Sequence, residues 1–228
     1  MNKSNLEYMP GFNENHKESI LIVDDHPVVL HGLEMMIKEL RPSAIIKTVL
    51  SAEQALQSID DSLGFDWILI DINLPKLSGI GLIEAFNEKK VVSHIILLSS
   101  EMTPEIIEEG IQHSVNGVLS KSFNQDMFSL CFETIEAGDF FIVPEHLTEL
   151  KYFRQHILNE KQRIEKTISS RQLEVLSLIS KGFSNIEISE KLNLSVHTIK
   201  SHSSNLYTLF GVENRTHCVS EAKRLKII

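Results

Sequence analysis

Residues 66–79 read "DWILIDINLPKLSG". Four apolar residues, 67–70, run into a single carboxylate, Asp71, and a loop carrying Pro75 and Gly79 follows. A short apolar run bounded by turn residues reads as a buried strand. Residues 20–29, "ILIVDDHPVV", have the same build, with Asp24 and Asp25 at the end of the run. Adjacent like charges repel, and shielding from water makes that worse. Taken alone, the pair is equally well read as a cap supplying acceptors to the helical pattern at 28–40.

Three more apolar runs, at 44–50, 95–98 and 117–119, complete a set of five. Between and after them lie segments with apolar residues three or four apart, at 28–40, 52–59, 80–86, 105–113 and 125–137. Strands alternating with helices predict an α/β, doubly wound, five-stranded parallel sheet of order 2-1-3-4-5. Ligands in such a sheet bind at the carboxyl ends of the strands. The first and third strands are neighbours, so Asp71 is expected to meet Asp24 and Asp25. Three converging carboxylates call for a cation, and hard oxygen ligands suit Mg²⁺. Ser99 and Lys121 follow the fourth and fifth runs and point to the same edge. A hydroxyl, an ammonium, a carboxylate nucleophile and a metal are what phosphoryl transfer uses.

Charge divides the chain. Residues 1–145 hold 9 Lys and Arg against 23 Asp and Glu, whereas 167–228 hold 8 against 5. An acidic front half suits a cation, and a basic back half suits phosphates. The chain has 228 residues, enough for two small domains. No apolar run approaches the roughly 20 residues that span a bilayer, so no membrane association is expected. The polar residues 1–18 lack a signal-peptide hydrophobic region and read as a flexible tail. Cys131 and Cys218, the two cysteines, show no metal-ligand spacing and fit a reducing cytoplasm.

Residues 146–166 lack glycine and proline, and within the stretch 141–166 the apolar residues Leu150, Phe153, Ile157 and Ile164 form a partial stripe. They read as a helical linker. The last segment, 167–228, reads as an all-α unit of four helices. Ser169 with Gln172, and Ser184 with Glu187, have capping-box spacing, Ser195 caps the third helix, and Gly182 and Gly211 stand where helices stop. In the third helix, 196–210, His197, Lys200, Ser201, Ser204 and Thr208 share a stripe without an acid. Such a face suits the base edges and phosphates of a major groove. An ordinary solvated face is the alternative, but residues 184–202 form helix, turn, helix.

Residues 19–140 resemble the receiver domain of two-component response regulators: an Asp pair after strand one, Asp-x-x-x-Pro as "DINLP", then Gly79, Ser99 and Lys121. The resemblance implies that Asp71 accepts the phosphoryl group. It implies that Asp25, Asp71 and the main-chain carbonyl of Asn73 bind Mg²⁺, with Asp24 close by. Ser99 and Lys121 would contact the phosphoryl group. The aromatic switch residue of the family is here Val118, which cannot act as the same lever. Ser122 stands where many receivers have proline, and a cis bond there without proline costs roughly 2.5–4 kcal/mol.

Residues 168–228 resemble the LuxR/FixJ-type output domain, through Ser169, Arg171, Glu174, Gly182, Ser184, Glu187, Ser195, Thr198, Lys200, His202, Gly211 and Val212, among others. The resemblance implies DNA binding by His197, Thr198, Lys200, Ser201 and Ser204. It also implies a dimer contact on DNA through the last helix, by Asn214, Cys218 and Glu221. Two basic residues common near the end of the recognition helix are here Thr208 and Leu209.

Together these resemble a NarL/FixJ-type response regulator: a non-enzymatic, cytoplasmic transcription regulator. Its expected partners are a sensor histidine kinase, double-stranded DNA, a second copy of itself and RNA polymerase. Two other readings stay open on sequence alone. One is an Asp-nucleophile phosphotransferase, and the other a phosphorylation-independent regulator or protein-contact adaptor.

Overall fold

A computed structural model describes residues 17–60, 64–122 and 124–228. The reading of 1–18 as a tail falls largely outside the described residues. The chain forms two compact units, one up to Leu150 and the other Lys151–Ile228.

In the first unit the strands are β1 (Ser19–Val23), β2 (Ile45–Val49), β3 (Trp67–Asp71), β4 (His94–Ser99) and β5 (Gly117–Ser120). The helices are α1 (Pro27–Leu40), α2 (Ala52–Asp60), α3 (Gly79–Glu88), α4 (Pro104–Gln112) and α5 (Gln125–Glu136). The sheet is parallel, in the order β2-β1-β3-β4-β5. Its central strands are buried on both faces, as parallel sheets require. Alternate residues divide the core. Leu21, Val23, Ile68, Ile70 and Leu97 face one side, with Leu82, Ile83 and Phe86 of α3 and Ile107 of α4. Ile20, Ile22, Leu69, Ile96 and Leu98 face the other, with Leu30, Leu33 and Ile37 of α1 and Phe128 and Phe132 of α5. This two-sided burial explains why the strands read as continuous apolar runs.

The first unit packs beyond residue 140. Phe141 bridges Gly117 in parallel, accepts from Val118 N at 3.0 Å and donates to Asn116 O at 2.9 Å. Phe140 and Ile142 pack on one core layer, and Phe141 and Val143 lie in the other. A Cβ on Gly117 would stand 3.0 Å from the Phe141 Cβ, so glycine makes room for this strap. Most of the expected helical linker forms α6 (His146–Thr167), whose Leu150 is buried in the core of the first unit.

The second unit contains the rest of α6 with α7 (Ser170–Ser180), α8 (Asn185–Leu192), α9 (Val196–Phe210) and α10 (Arg215–Arg224). Both expected capping boxes close reciprocally. Asn193 ends α8 in the left-handed conformation at φ 52°, and Gly211 ends α9 at φ 66°. Ile164, Leu176, Ile188, Ile199 and Leu206 meet in one core. Among the described residues, no helix is long and apolar enough to cross a membrane.

Candidate functional site

The strand ends bring Asp24, Asp71 and Lys121 together. Asp24 follows β1, Asp71 closes β3, and both side chains are buried. Lys121 follows β5. Its N–H donates to Ser99 O at 2.7 Å, which extends the β4–β5 pairing by one residue and brings its side chain to the carboxylates. Lys121 Nζ lies 2.6 Å from Asp24 Oδ2 and 2.9 Å from Asp71 Oδ2. Burial alone would lower the ammonium's pKa, but the pairing with Asp24 and Asp71 outweighs it and holds the pKa above the ordinary lysine value.

The acidic pair does not cap α1. The cap residue is His26, whose side chain makes no capping hydrogen bond, and Pro27 opens the helix. Asp24 Oδ1 instead accepts the His26 N–H at 2.9 Å, in a turn that holds the carboxylate inward. His26, which the sequence reading passed over, brings Nδ1 within 2.8 Å of Asp25 Oδ1 and 3.2 Å of Asp24 Oδ1. Its signal was its position directly after the pair.

Ligand atoms of Asp24, Asp25, His26 and Asp71 all lie within 4.8 Å of one another. Asp24 Oδ2, Asp25 Oδ1 and both Asp71 carboxylate oxygens are buried without a hydrogen-bond partner. Lys121 Nζ faces Asp24 Oδ2 and Asp71 Oδ2 at ion-pair distance, and His26 Nδ1 faces Asp25 Oδ1, which leaves Asp71 Oδ1 without a nearby donor among the described residues. Buried carboxylates gathered this way favour a cation, and the oxygens of Asp24, Asp25 and Asp71 fit a hard one.

Gly79 is what lets α3 begin against this site. A Cβ there would stand 2.3 Å from Asp71 O, and Gly79 N donates to Ile72 O at 3.0 Å. Asn73 lies exposed in the turn between Asp71 and α3. Ser99 is buried, and its hydroxyl donates to Glu101 O at 2.5 Å. Val118 is buried against α4, where a Cβ on Gly110 would stand 2.9 Å from its Cγ2. Ser122 N donates to Ser120 Oγ at 3.2 Å, and the two hydroxyls are 2.8 Å apart. These hydroxyls brace the loop where many receivers have proline. Among the described residues every peptide bond is trans.

In the second unit, His197, Lys200, Ser201 and Ser204 lie exposed along α9. Thr198 stands apart from them: it is half-buried, and its Oγ1 lies 2.8 Å from the capping Ser195 Oγ. On α10, Asn214 is the N-cap and accepts from His217 N at 2.9 Å. Glu221 pairs with Arg224. Cys218 corrects the sequence expectation: it is fully buried in the helical core and offers no surface to a partner. Burial pushes its thiol up to about 11.

Residues 20–130 match the response regulator receiver domain, and residues 166–222 match the bacterial regulatory proteins of the luxR family. The chain belongs to the LuxR-type response regulators. This response regulator is 29% identical to the transcriptional regulatory protein YdfI of Bacillus subtilis, over 92% of this chain and 97% of that protein. It is 26% identical to the oxygen regulatory protein NreC of Staphylococcus aureus, over 92% and 98%. Its fold is that of the RcsB response regulator of Salmonella typhimurium, with a TM-score of 0.54 at 24% identity, covering 91% of this chain and 98% of that one. A structure of two RcsB dimers bound to two parallel DNAs gives a TM-score of 0.55 at 24% identity, over 92% and 99%. The family is one of phosphorylation-controlled, DNA-binding transcription regulators, not of enzymes.

Proposed function

We propose that Asp71 is the phospho-acceptor of this regulator, that a sensor histidine kinase is the phosphoryl source, and that α9 is the DNA-reading helix. One observation carries the reading: the buried carboxylates of Asp24 and Asp71 meet Lys121 at the carboxyl ends of the strands, in a chain that also carries a helix-turn-helix. An Asp71 oxygen attacks the phosphorus of the kinase's phosphohistidine. The P–N bond breaks as the new P–O bond forms, and the histidine keeps the electron pair. Lys121 turns from the carboxylates to the transferred oxygens, and Ser99 exchanges the Glu101 carbonyl for one of them. Asp25, Asp71 and the Asn73 carbonyl would hold Mg²⁺, with Asp24 close by. When bound there, the ion would supply charge neutralisation for the carboxylates and the phosphoryl oxygens.

The regulator works in the cytoplasm as a homodimer on paired half-sites, with RNA polymerase as its final partner. The contact on DNA comes from Asn214, Glu221 and the exposed face of α10 rather than from Cys218. Binding of purified protein to fragmented genomic DNA, with and without acetyl phosphate, tests the reading. The phosphodonor should enrich a defined set of sites for the wild type and not for Asp71→Asn. Equal enrichment by both would contradict it.

A further inference from the structure

Helix α9 ends without a cation: its last turn holds no basic residue. Its exposed stripe carries one positive charge, Lys200, among His197, Ser201, Ser204 and Thr208. A helix C-terminus carries roughly half a negative charge, which disfavours approach to a line of phosphates.

Within the same unit, α6 fills this gap. Arg163 donates from Nη2 to Leu209 O at 3.0 Å, in the turn that lacks a cation. Arg163 is exposed, and no carboxylate pairs with it among the described residues. Its neighbours differ: Lys161 faces Glu165 at 3.8 Å, and Arg224 faces Glu160 at 2.9 Å. A guanidinium has five N–H donors. With one of them on Leu209, the rest of the fork has the charge and geometry that bind phosphate in pairs of hydrogen bonds.

We infer that Arg163, outside the helix-turn-helix itself, is a DNA-phosphate contact. It offsets the negative end of α9 and supplies the positive charge that the helix lacks there. This rests on the reading of α9 as the DNA-facing helix. Among the described residues, Arg163 is the α6 cation hydrogen-bonded to that carbonyl, so the effect is assigned to one side chain.

The test uses the full-length protein and a fluorescein-labelled, mixed-sequence DNA duplex, followed by anisotropy across a salt series. Arg163→Gln keeps an N–H donor for Leu209 O but removes the charge. Its slope of log affinity against log salt should be shallower by about 0.9, the value of one phosphate contact. Arg163→Lys should keep the wild-type slope. Thr208→Arg in the Arg163→Gln background should restore it, whether or not the hydrogen bond to Leu209 matters for folding. A wild-type slope in Arg163→Gln, with a reduced slope in Lys200→Gln, would make Arg163 a helix cap only and overturn the inference. No salt-dependent binding by the wild type, or unchanged slopes in both glutamine variants, would overturn the DNA-facing reading of α9 itself.

Discussion

Lys121 Nζ and Asp71 Oδ2 stand 2.9 Å apart at the carboxyl edge of the sheet, and the same ammonium reaches Asp24. The lysine therefore stabilises two buried carboxylates, and a divalent cation would compete with it. Lys121→Met should lower the melting temperature in the absence of Mg²⁺, because removing one partner of a buried pair costs roughly 3–5 kcal/mol. Millimolar Mg²⁺ should recover part of the loss, and the half-saturating Mg²⁺ concentration should fall below that of the wild type. Thermal unfolding across a Mg²⁺ titration reads both effects.

The same ion pair sets an alkaline limit. The folded pKa of Lys121 lies above its ordinary value, through Asp24 and Asp71 and against the opposing effect of burial. A raised basic group binds more protons folded than unfolded, so its contribution is complete below the ordinary lysine pKa. It is lost as pH rises through the folded value. Urea unfolding of the wild type should show a stability loss beginning above about pH 10.4. The Lys121→Met variant should lack that component.

Gly79 tests the packing that places Asp71. Adding a Cβ 2.3 Å from Asp71 O forces α3 away from the end of β3. Gly79→Ala should cost about 1–3 kcal/mol, as overpacking does, and should slow phosphorylation by acetyl phosphate. Gly138→Ala is a poor control because its φ is +89°. Gly32→Ala is a better one, since nothing lies within 4 Å of its added Cβ. It should leave the rate unchanged.

The sheet and the acidic site were legible because the central strands are apolar runs, and the candidate residues sit one or two steps past the ends of the runs. The strap at 140–143 was less so. "FFIV" has strand character, but a single bridge to β5 leaves no periodic pattern, and the reading assigned 141 onward to a helical linker. The position of Cys218 was missed for another reason. Helix α10 has few apolar residues, so its inner face is defined only once Ala222 and Leu225 are seen beside the thiol in the core. Equally invisible was the clamp of Arg41 on Glu18 and Glu136, each at 2.6 Å, with the guanidinium over Phe132. Its members are far apart in sequence and meet only after folding.

Both thiols should be silent in the native protein. Burial raises Cys131 to about 12 and Cys218 to about 11, so neither forms appreciable thiolate near neutral pH. A raised acidic group adds stability below its unfolded pKa and loses it as pH climbs toward the folded value. Ellman's reagent at pH 8 should react slowly with the folded chain and rapidly with both cysteines in guanidinium chloride.

Phosphoryl transfer to Asp71 can be read out directly. The direct measurement is mass spectrometry of the protein treated with acetyl phosphate and Mg²⁺, with borohydride trapping of the acyl phosphate before proteolysis. The wild type should show one phosphoryl addition, lost in Asp71→Asn, with reduction mapped to the peptide containing Asp71. Full phosphorylation of Asp71→Asn, or trapping at another residue in the wild type, would contradict it.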